Sequence, residues 1–533
     1  MALSDLLERG YFPKELPDPF VTTSFASAVT ASGVALPADF GLDPSASAAR
    51  IPRAKPTRYS HARGGLLRRQ LCLPNPVSQY RLCREVDSNW AALQPSIAGT
   101  ALSATNPVRS PTGRAIRGAH PQGARRELAV RTRLNNRYIL RTDISTFYHS
   151  VYTHSIPWAL HTKPTAKASR GMRLLGNRLD FCVRNGQDGQ TIGIPIGPDT
   201  SLVIAEILMQ RCDKELLNIF PGVRGYRLID DYELGFRHRG EAEDAFHFIE
   251  RVLAEYELAL NPKKTEVVEL PCSLEPPWAS PLRSFEFRAT RSGQVGDLFR
   301  FFELAFRLRA EYPDEAVLQF AVGRLRHLEV DPANWELFQH LLLDCAAPEP
   351  ATLPYVLESI ILRVKDGAAP ALAEIDEVVN SIMLDHCKVA HSSEVAWALW
   401  ACLALNITVS PAVAAAVSEC EDSVVALMAL HCEAQGLVGA ALDKTLWSSY
   451  MNRDSLYEEH WLLAYEANVK GWLPSQGGGD HVSGDPNFGF LKTAAVSFYD
   501  VAKAVPAAPG APPPVPTPPT PPYVPYVPDA SSP

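Results

Sequence analysis

Two patterns of hydrophobic and polar positions alternate along the first half of the chain. Short runs rich in β-branched and aromatic residues, at 137–145 and 223–236, predict strands. Longer runs with apolar residues every three or four positions, at 200–220 and 241–260, predict amphipathic helices. We therefore expect residues 61–293 to form one α+β domain.

From residue 294 to 504 the helical pattern stands almost alone. Segments such as 297–312, 392–407 and 410–434 have helical periodicity, and Ser or Pro stands at several of the predicted helix starts. Their lengths and breakers resemble the helix pairs of a solenoid. We expect an all-α, HEAT-like helical-repeat domain that packs against the domain before it.

The two ends of the chain have a different composition. Residues 1–60 are irregular and rich in Pro, Ser and Ala. Residues 505–533 are low-complexity and dominated by Pro, which predicts an extended, disordered tail without a packed core.

Charge divides the chain into unlike halves. The net charge is −8, but residues 51–200 carry 23 Lys and Arg against 7 Asp and Glu. Residues 301–533 carry 12 against 29. The basic half suits a phosphate backbone, and the acidic half suits a solvated scaffold or a protein–protein surface.

Cysteine spacing and hydropathy favour a cytoplasmic protein without a membrane partner. The ten cysteines include no C-x-x-C pair, so neither a zinc knuckle nor a disulfide framework is predicted. The start of the chain does not resemble a secretion signal. No apolar stretch approaches the roughly 18 residues that a membrane span needs.

Three aspartates stand at the ends of predicted strands. Asp143 follows an apolar run, and Asp230 and Asp231 occupy the turn of a predicted hairpin. Nucleotide transfer needs two divalent ions, one on the attacking hydroxyl and one on the leaving pyrophosphate. Mg²⁺ in such sites is bound by a few carboxylates and by substrate phosphates. An adjacent aspartate pair by itself more often marks a solvated surface turn than a metal site. The neighbouring motifs therefore decide between these two interpretations.

Two further motifs complete an ordered set. The run GIPIGPDTS at 193–201 lies between the aspartate strands and opens a long helix, and its glycines would let the backbone approach a base pair closely. The run LNPKKT at 260–265 follows the hairpin and the next helix. In this order the four pieces resemble motifs A, B, C and D of the reverse transcriptase palm. The resemblance implies a fingers–palm domain at 61–293.

The same resemblance implies the metal ligands and a general acid. Two Mg²⁺ ions, with Mn²⁺ as the alternative, would be bound by a set that comprises Asp143, Ile144, Asp230 and Asp231. Lys264 would lie beside the leaving pyrophosphate as a general acid.

Residues of the nucleotide pocket are implied in the same way. Those expected to contact the nucleotide or its triphosphate are Tyr148, Pro195, Gly197, Arg109, Arg114 and Arg117. Tyr148, five places after Asp143, would be the steric gate that excludes the 2′-hydroxyl of ribonucleotides. The three arginines have a second interpretation, as backbone-phosphate or surface residues.

Departures from the general reverse transcriptase pattern narrow the choice among the classes of reverse transcriptase. Leu228 stands where retroviral and many group II intron enzymes have Tyr, and Ile196 stands where Gln often follows the Pro of motif B. The run GYFPKELPDPF at 10–20 resembles the N-terminal motif of bacterial defence-associated reverse transcriptases, the abortive-infection and unknown-group class. Several members of this class also end in a helical-repeat domain.

That resemblance implies antiphage defence by a bacterial, cytoplasmic enzyme. Its DNA synthesis would use dNTPs and be RNA-directed or template-independent, with a dedicated non-coding RNA as a partner and a homo-oligomer as one expected state. The product would be primed on a protein tyrosine, for which Tyr523, Tyr526 and Tyr11 are the candidates. On composition alone, the tail that holds two of them is instead a linker or a ligand for a partner.

Two other functions stay open. An RNA-dependent RNA polymerase usually carries a second Asp near the position of Tyr148, to hold the ribose hydroxyl. A scaffold with a vestigial palm would recruit partners through the acidic half. The pairs at His386 and His431, each followed by Cys, are interpreted as core packing rather than as metal ligands.

Overall fold

The computed structural model describes residues 2–41, 52–65, 67–120 and 122–504, and the proline-rich segment at 505–533 lies outside them. The strands are β1 (Thr57–Ala62), β2 (Arg68–Leu73), β3 (Pro107–Arg109), β4 (Ile116–Gly118), β5 (Tyr138–Asp143), β6 (Arg224–Leu228), β7 (Asp231–Phe236) and β8 (Glu266–Glu269). The helices before residue 290 are α1 (Leu3–Arg9), α2 (Thr23–Thr30), α3 (Ala38–Gly41), α4 (Pro76–Ser88), α5 (Trp90–Ile97), α6 (Arg125–Arg133), α7 (Phe147–Ser150), α8 (Ser155–His161), α9 (Lys163–Ala168), α10 (Leu175–Asn185), α11 (Asp199–Ile219), α12 (Arg239–Glu255) and α13 (Ala279–Ser284). The later helices are α14 (Arg291–Glu311), α15 (Val317–Leu325), α16 (Trp335–Leu343), α17 (Leu353–Lys365), α18 (Leu372–Cys387), α19 (Ser392–Leu405), α20 (Pro411–Ser418), α21 (Ser423–Ala434), α22 (Thr445–Ser448), α23 (Trp461–Val469) and α24 (Pro486–Thr493).

A central antiparallel sheet carries the predicted strands. Within the described residues it has four strands in the order β6, β7, β5, β8. Helices α6 and α12 pack against it. The strands predicted at 137–145 and 223–236 are confirmed as β5 and as the β6–β7 hairpin.

Helix α11 joins this sheet to the rest of the first half. It runs for 21 residues and packs against α5, α8 and α12, and most of its side chains are buried. Helix α12 buries Ala242, Ala245, Ile249 and Val252, a spacing of three and four that presents one apolar face to the sheet. Both helices were predicted from that periodicity.

The β1–β2 hairpin lies apart from the central sheet, and we call residues 57–73 the fingers hairpin. Its strands pair in antiparallel register from Thr57 opposite Leu73 to Ala62 opposite Arg68. Gly64 stands at its tip, where a Cβ atom would lie 2.6 Å from the backbone nitrogen of Ala316 in the helical region. The tip therefore fits against that region only because Gly64 has no side chain.

The region from 291 to 504 is helical, as its pattern predicted. Consecutive helices pack in the pairs α14–α15, α16–α17, α18–α19 and α20–α21. Helices two apart also touch, so that α15, α17, α19, α21 and α23 form one row and α16, α18 and α20 a second. Helix α14 begins at Arg291, three residues before the domain boundary expected at 294.

Among the described residues, the helical region makes its strong contacts with the fingers hairpin and the N-terminal segment rather than with the central sheet. The backbone nitrogens of Ser60 and Ala62 in β1 donate to the hydroxyls of Ser392 and Ser393 at the start of α19. These hydroxyls satisfy the free edge of β1, which would otherwise expose unpaired backbone groups. Phe20 forms a β-bridge with Tyr499.

Over the described residues, every helix is too short or too polar to cross a membrane.

Candidate active site at the Asp230–Asp231 turn

The sheet brings the three predicted carboxylates together. Asp143 ends β5 and Asp231 begins β7, and their Cα atoms are directly paired across the two strands. Asp230 lies in the two-residue turn between β6 and β7, and its carbonyl accepts a hydrogen bond of 3.3 Å from the Ile144 nitrogen. The antiparallel register therefore places three carboxylates at one end of the sheet.

The turn that holds Asp230 is strained and braced. Ile229 has a φ of 59°, in the left-handed region that a β-branched residue rarely adopts. Its nitrogen donates to the Thr105 hydroxyl at 2.9 Å, and its carbonyl accepts from the Arg227 guanidinium at 2.7 Å. Such strain costs about 1–3 kcal/mol and persists only where the surroundings fix it.

The brace is anchored by a fully buried ion-pair network. Arg227, Glu206 and Asp213 are all fully buried. The Arg227 guanidinium donates to the Glu206 carboxylate at 2.9 Å and to Asp213 at 2.8 Å, and the Tyr232 hydroxyl donates to Asp213 at 2.7 Å. This network ties α11 to the strands on both sides of the turn.

Burial, together with the neighbouring carboxylates, raises the affinity of Asp230 and Asp231 for protons. Desolvation, followed by the charges of Asp143 and Asp231, raises the pKa of Asp230 to about 6. Desolvation also raises the pKa of Asp231, the neighbouring Asp143 adds to this, and Arg125, 3.6 Å away, opposes it. Two or more carboxylates held this close favour a divalent cation among them.

The segment after β7 and α12 returns to the same point. The Lys264 ammonium donates to Asp143 at 3.1 Å, and the Asn261 nitrogen donates to the Asp143 carbonyl at 2.7 Å. Ser145 donates to the Ala259 carbonyl, so two backbone bonds fix this segment beside Asp143. The lysine predicted for the leaving-group side thus lies in contact with the carboxylates.

Tyr148 lies on the same side of the sheet end. It is in α7, which begins after Thr146 in a left-handed conformation with a φ of 44°. Desolvation and the charges of Asp230 and Glu206 raise the pKa of the Tyr148 phenol well above its usual range. Its carbonyl accepts from the Ile194 nitrogen at 2.8 Å, which joins α7 to the GIPIG run.

The glycines of the GIPIG run have structural reasons of their own. Gly193 has a φ of 87°, and Gly197 has a φ of 131°. A Cβ on Gly197 would lie 2.6 Å from the Pro13 side chain in the N-terminal segment. Pro195 is half-buried beside them, and its carbonyl accepts from the Ser201 hydroxyl. Contact of Pro195 and Gly197 with a nucleotide stays a prediction.

The structure gives Arg114 several contacts within the protein. Its three guanidinium nitrogens donate to the Asp199 carboxylate and to the carbonyls of Phe12 and Gly197. Asp199 is buried at the start of α11 and also accepts from the Ile116 nitrogen at 2.8 Å. Arg114 therefore locks the N-terminal segment to α11, and its contact with a triphosphate stays a prediction.

The other two arginines lie on short strands. Arg109 in β3 pairs with Asp87 at 2.9 Å and lies over the Trp90 ring at 4.4 Å. Arg117 in β4 is exposed.

Sequence reasoning missed Arg125, which lies 3.6 Å from Asp231, and also two cations of the fingers hairpin, Arg63 and Arg69. Partial desolvation and Arg69 lower the pKa of Arg63, while the charges of Asp230 and Asp143 act in the opposite direction. Arg69 acts on Tyr148 in the same electrostatic way. Both belong to the fingers hairpin, and its HARGGLLRRQ sequence, two basic strands around a glycine turn, was the available signal.

The structure also corrects the prediction for Tyr11 as a priming residue. Its side chain is fully buried, its hydroxyl donates to the Pro74 carbonyl, and desolvation raises the pKa of its phenol well above the usual range. Such a phenol cannot reach a metal at the sheet end. The other candidates, Tyr523 and Tyr526, lie outside the described residues.

Parts of the chain are similar to known proteins. Two similar solved structures are apo telomerase from Candida tropicalis, 11% identical with a TM-score of 0.31, and telomerase from Candida albicans in complex with a TWJ fragment of telomeric RNA, 13% identical with a TM-score of 0.26. The matches cover 60% and 61% of this chain and 66% and 64% of those chains, so the chain spans about two thirds of their length. None of the curated proteins compared with the chain matches it. Residues 82–288 match the family model described as Reverse transcriptase (RNA-dependent DNA polymerase). This segment, which contains the carboxylates, the GIPIG run and Lys264, is thus a reverse transcriptase domain, the catalytic domain of RNA-directed DNA polymerases, which are nucleotidyltransferases.

Proposed function

We propose that the whole chain is a DNA polymerase that joins deoxynucleotides at the Asp230–Asp231 turn with two Mg²⁺ ions. The observation that carries this proposal is the convergence of three carboxylates with Lys264 on Asp143 at 3.1 Å. Reverse transcriptase domains use divalent metals, nucleotides and a nucleic-acid template. Carboxylates with raised proton affinity are groups that a metal ion would stabilise in their charged form.

Each site residue then has a proposed role. Asp143, Asp230 and Asp231 would bind the metals, with Ile144 beside them. Lys264 would stabilise or protonate the leaving pyrophosphate. The ion-paired position of Lys264 supports this, since a metal that displaces its ammonium from Asp143 would leave it free to face a phosphate.

The nucleotide would lie between the sheet end and the fingers hairpin. Tyr148 would crowd the 2′ position of the sugar, and Arg63 and Arg69 would supply the positive charge for the triphosphate. Their electrostatic coupling to Asp230, Asp143 and Tyr148 supports this arrangement. The surplus of basic residues at 51–200 supports contact with a nucleic-acid backbone.

The decisive experiment offers the purified full-length chain Mg²⁺ with dNTPs or with NTPs, each with and without an RNA template. We expect incorporation of dNTPs, and Asp143→Asn or Asp230→Asn should reduce it by at least about 100-fold, because a metal ligand is lost. Asp244→Asn, an exposed residue of α12, is the matched control and should be fully active. Near-normal synthesis by a folded Asp143→Asn protein would refute the metal assignment.

The same assay separates the alternatives. Preferential use of NTPs would indicate an RNA polymerase, against which the aromatic Tyr148 argues. Incorporation in neither case would favour a scaffold. Synthesis without added template would indicate a template-independent enzyme or one that retains its own RNA, and nuclease treatment followed by sequencing of the copurified RNA would distinguish these two.

We also propose that the polymerase acts in bacterial antiphage defence with a non-coding RNA and that residues 294–504 form a HEAT-like repeat domain. The N-terminal GYFP run and the two rows of helices after residue 291 support this assignment. Bacteria that express the wild-type chain should reduce phage plaque counts by orders of magnitude, and those that express Asp230→Asn should not. Equal protection by both proteins would argue for a scaffold.

Protein priming is proposed for Tyr523 and Tyr526 alone, since Tyr11 is buried. A phenol can take the place of a primer hydroxyl because its pKa of about 10 makes deprotonation beside a metal easier. Label from radioactive dNTP should stay with the polypeptide after boiling in detergent and nuclease digestion. Loss of that label in the Tyr523→Phe, Tyr526→Phe protein is expected, whereas label found entirely as free DNA would rule out priming on protein.

A further inference from the structure

A cavity of about 480 Å³ lies between the fingers hairpin and the helical region. Its walls come from both strands of the hairpin, from the turn between α18 and α19, and from the starts of α21 and α23. The cavity is separate from the Asp230–Asp231 turn. Its lining includes His386 and His391 on one wall and His460 at the start of α23.

The two imidazoles face each other with a carboxylate beside them. The Nδ1 atoms of His386 and His391 are 2.9 Å apart, and each lies 3.6 Å from Oε1 of Glu394. A zinc ion with bonds of about 2.0–2.1 Å to tetrahedral ligands separates its ligand atoms by roughly 3.3 Å. One ion of that size would therefore satisfy all three atoms with shifts of a few tenths of an ångström.

Local folding places the three residues on one side of a tight turn. Helix α18 ends at Cys387, the chain reverses through Ala390 with a φ of 53°, and α19 begins directly after His391. Glu394 is in the first turn of α19. His386, His391 and Glu394 are thus five and then three residues apart in the chain. They come together because the end of α18, the turn and the start of α19 meet at this point.

The histidines are in the state that a metal requires. Burial lowers the pKa of His386, and burial with the nearby Arg68 lowers that of His391, so both rings are neutral near pH 7. Two neutral rings in contact at Nδ1 share one proton at most, and a simple hydrogen bond between them is the competing explanation.

The carboxylate is held as metal ligands usually are. Glu394 is 1% exposed, its two oxygens accept from the Arg68 guanidinium at 2.6 and 2.8 Å, and Oε2 also accepts from the Ser393 hydroxyl. Oε1 keeps a lone pair toward the histidines. Outer hydrogen bonds of this kind orient the ligands of protein metal sites.

Charge around the cavity favours a cation. Among the described residues, the lining contains four carboxylates, from Glu419, Glu421, Asp422 and Glu459, against one arginine, Arg58. Cys387 and Cys420 also line it, but a hydrogen bond between their side chains and burial raise the pKa of Cys387. Among the described residues, the two imidazoles and Glu394 are the group of three whose ligand atoms all lie within 4.8 Å of one another, so they are the candidate ligands.

We propose that His386, His391 and Glu394 bind one Zn²⁺ ion, with water from the cavity as the fourth ligand. Imidazole nitrogen together with carboxylate oxygen suits zinc among the metals available in cells. Through Glu394 the ion is coupled to Arg68 of β2, the neighbour of Arg69. Bound zinc thus fixes the fingers hairpin to the helical region and holds Arg69 toward the candidate active site.

The test measures zinc directly. The full-length protein, loaded with zinc and dialysed against excess Mg²⁺, should retain about one equivalent by mass spectrometry. His386→Ala with His391→Ala should lose it, while His247→Ala, an exposed histidine of α12, and Asp230→Asn should keep it. Cobalt in place of zinc should give the visible absorption bands of a tetrahedral site in the wild type. The double variant should not show these bands.

A second measurement uses the wild type, so that a misfolded variant does not decide the result. Removal of zinc with a chelator should lower Tm and accelerate hydrogen exchange at 57–73 but not at 224–236, and zinc should restore both. Wild-type protein that retains less than about a tenth of an equivalent, or a folded double variant that retains as much zinc as the wild type, would overturn the proposal and leave a histidine–histidine hydrogen bond.

Discussion

In the proposed metal site, protonation of Asp230 controls when the three carboxylates can bind a metal ion. Its pKa is about 6 in the folded protein against an ordinary 3.8. Between these values the folded protein keeps a proton that the unfolded chain has released. In the absence of metal, the contribution of Asp230 to the free energy of unfolding therefore falls as pH rises through this window.

Replacement by a neutral residue should remove this penalty. In metal-free buffer, the Tm of Asp230→Asn relative to the wild type should be higher at about pH 7 than at about pH 4. At pH 7, saturating Mg²⁺ should instead give the wild type the higher Tm of the two proteins, because only the wild type keeps its full set of metal ligands. Calorimetry of both proteins and of Asp244→Asn checks this, and a Tm difference independent of pH would contradict it.

In the proposed function, selection between deoxyribose and ribose is the second property that depends on a single residue, Tyr148. The ring of Tyr148 lies near Asp230, and the neighbouring Phe147 is buried with 2% exposure. Tyr148→Ala or Tyr148→Val should admit ribonucleotides, because in the proposed function the bulk of the ring rejects the 2′-hydroxyl. Tyr148→Phe keeps the ring and should keep the discrimination.

Competition between dNTPs and NTPs in primer extension measures that ratio. A fall of about tenfold or more in discrimination for the Ala variant, roughly 1.4 kcal/mol, would fit a steric gate. Unchanged discrimination in an active Tyr148→Ala enzyme would move the gate elsewhere, with Phe147 as the next candidate.

At the scale of elements, the β6–β7 hairpin depends on the buried Arg227 network. Arg227→Met leaves the carboxylates of Glu206 and Asp213 buried without their cation, which should cost about 3–5 kcal/mol of unfolding free energy. Urea unfolding measures this loss. Arg239→Met breaks an exposed pair on α12 and should change stability by less than about 1 kcal/mol.

A further outcome distinguishes a positioning role from a purely structural one. If the network holds the Ile229 turn, a folded Arg227→Met protein should also need more Mg²⁺ for half-maximal synthesis. Loss of stability without any change in Mg²⁺ dependence would assign the network to the fold alone.

The same elements show what the sequence could and could not predict. Strands β5, β6 and β7 and helices α11 and α12 were predictable because periodicity and turn residues are local. The carboxylates followed, since strand ends at 143 and 231 fix their neighbours once the register is known.

Partners distant in the chain were not predictable. Arg114 matches the expected place of a phosphate-binding residue, yet Asp199, 85 residues away, takes its guanidinium. His386 was interpreted as a core residue, and the neighbours that the proposed zinc site needs come together only when the turn before α19 folds. Choice among many equivalent arginines or histidines is a tertiary property that neither spacing nor composition encodes.

At the scale of the whole molecule, aromatic residues of the N-terminal segment and of the end of the helical region pack together. Phe498 is fully buried, and its ring centre lies 5.4 Å from that of Phe25 and 5.2 Å from that of Trp461. The Trp461 indole donates to the Leu73 carbonyl at the end of the fingers hairpin. Residues almost 500 positions apart thus share one core with the hairpin.

We therefore expect the N-terminal segment, the fingers hairpin and the helical region to unfold together. Phe498→Ala should lower the unfolding free energy by about 3–5 kcal/mol, and a single transition should remain. Phe299→Ala is the matched control, because that ring is 53% exposed and its loss should change stability by at most about 0.5 kcal/mol.

Truncation tests the same closure more severely. A 1–293 fragment would expose the edge of β1 and the apolar faces of Tyr11 and Phe25 that Phe498 covers, so it should be poorly soluble and inactive. A 1–504 fragment keeps every contact described for the chain and should match the full-length Tm. A soluble and fully active 1–293 fragment would instead mean that the helical region is an independent appendage and that its grip on the fingers hairpin is dispensable for synthesis.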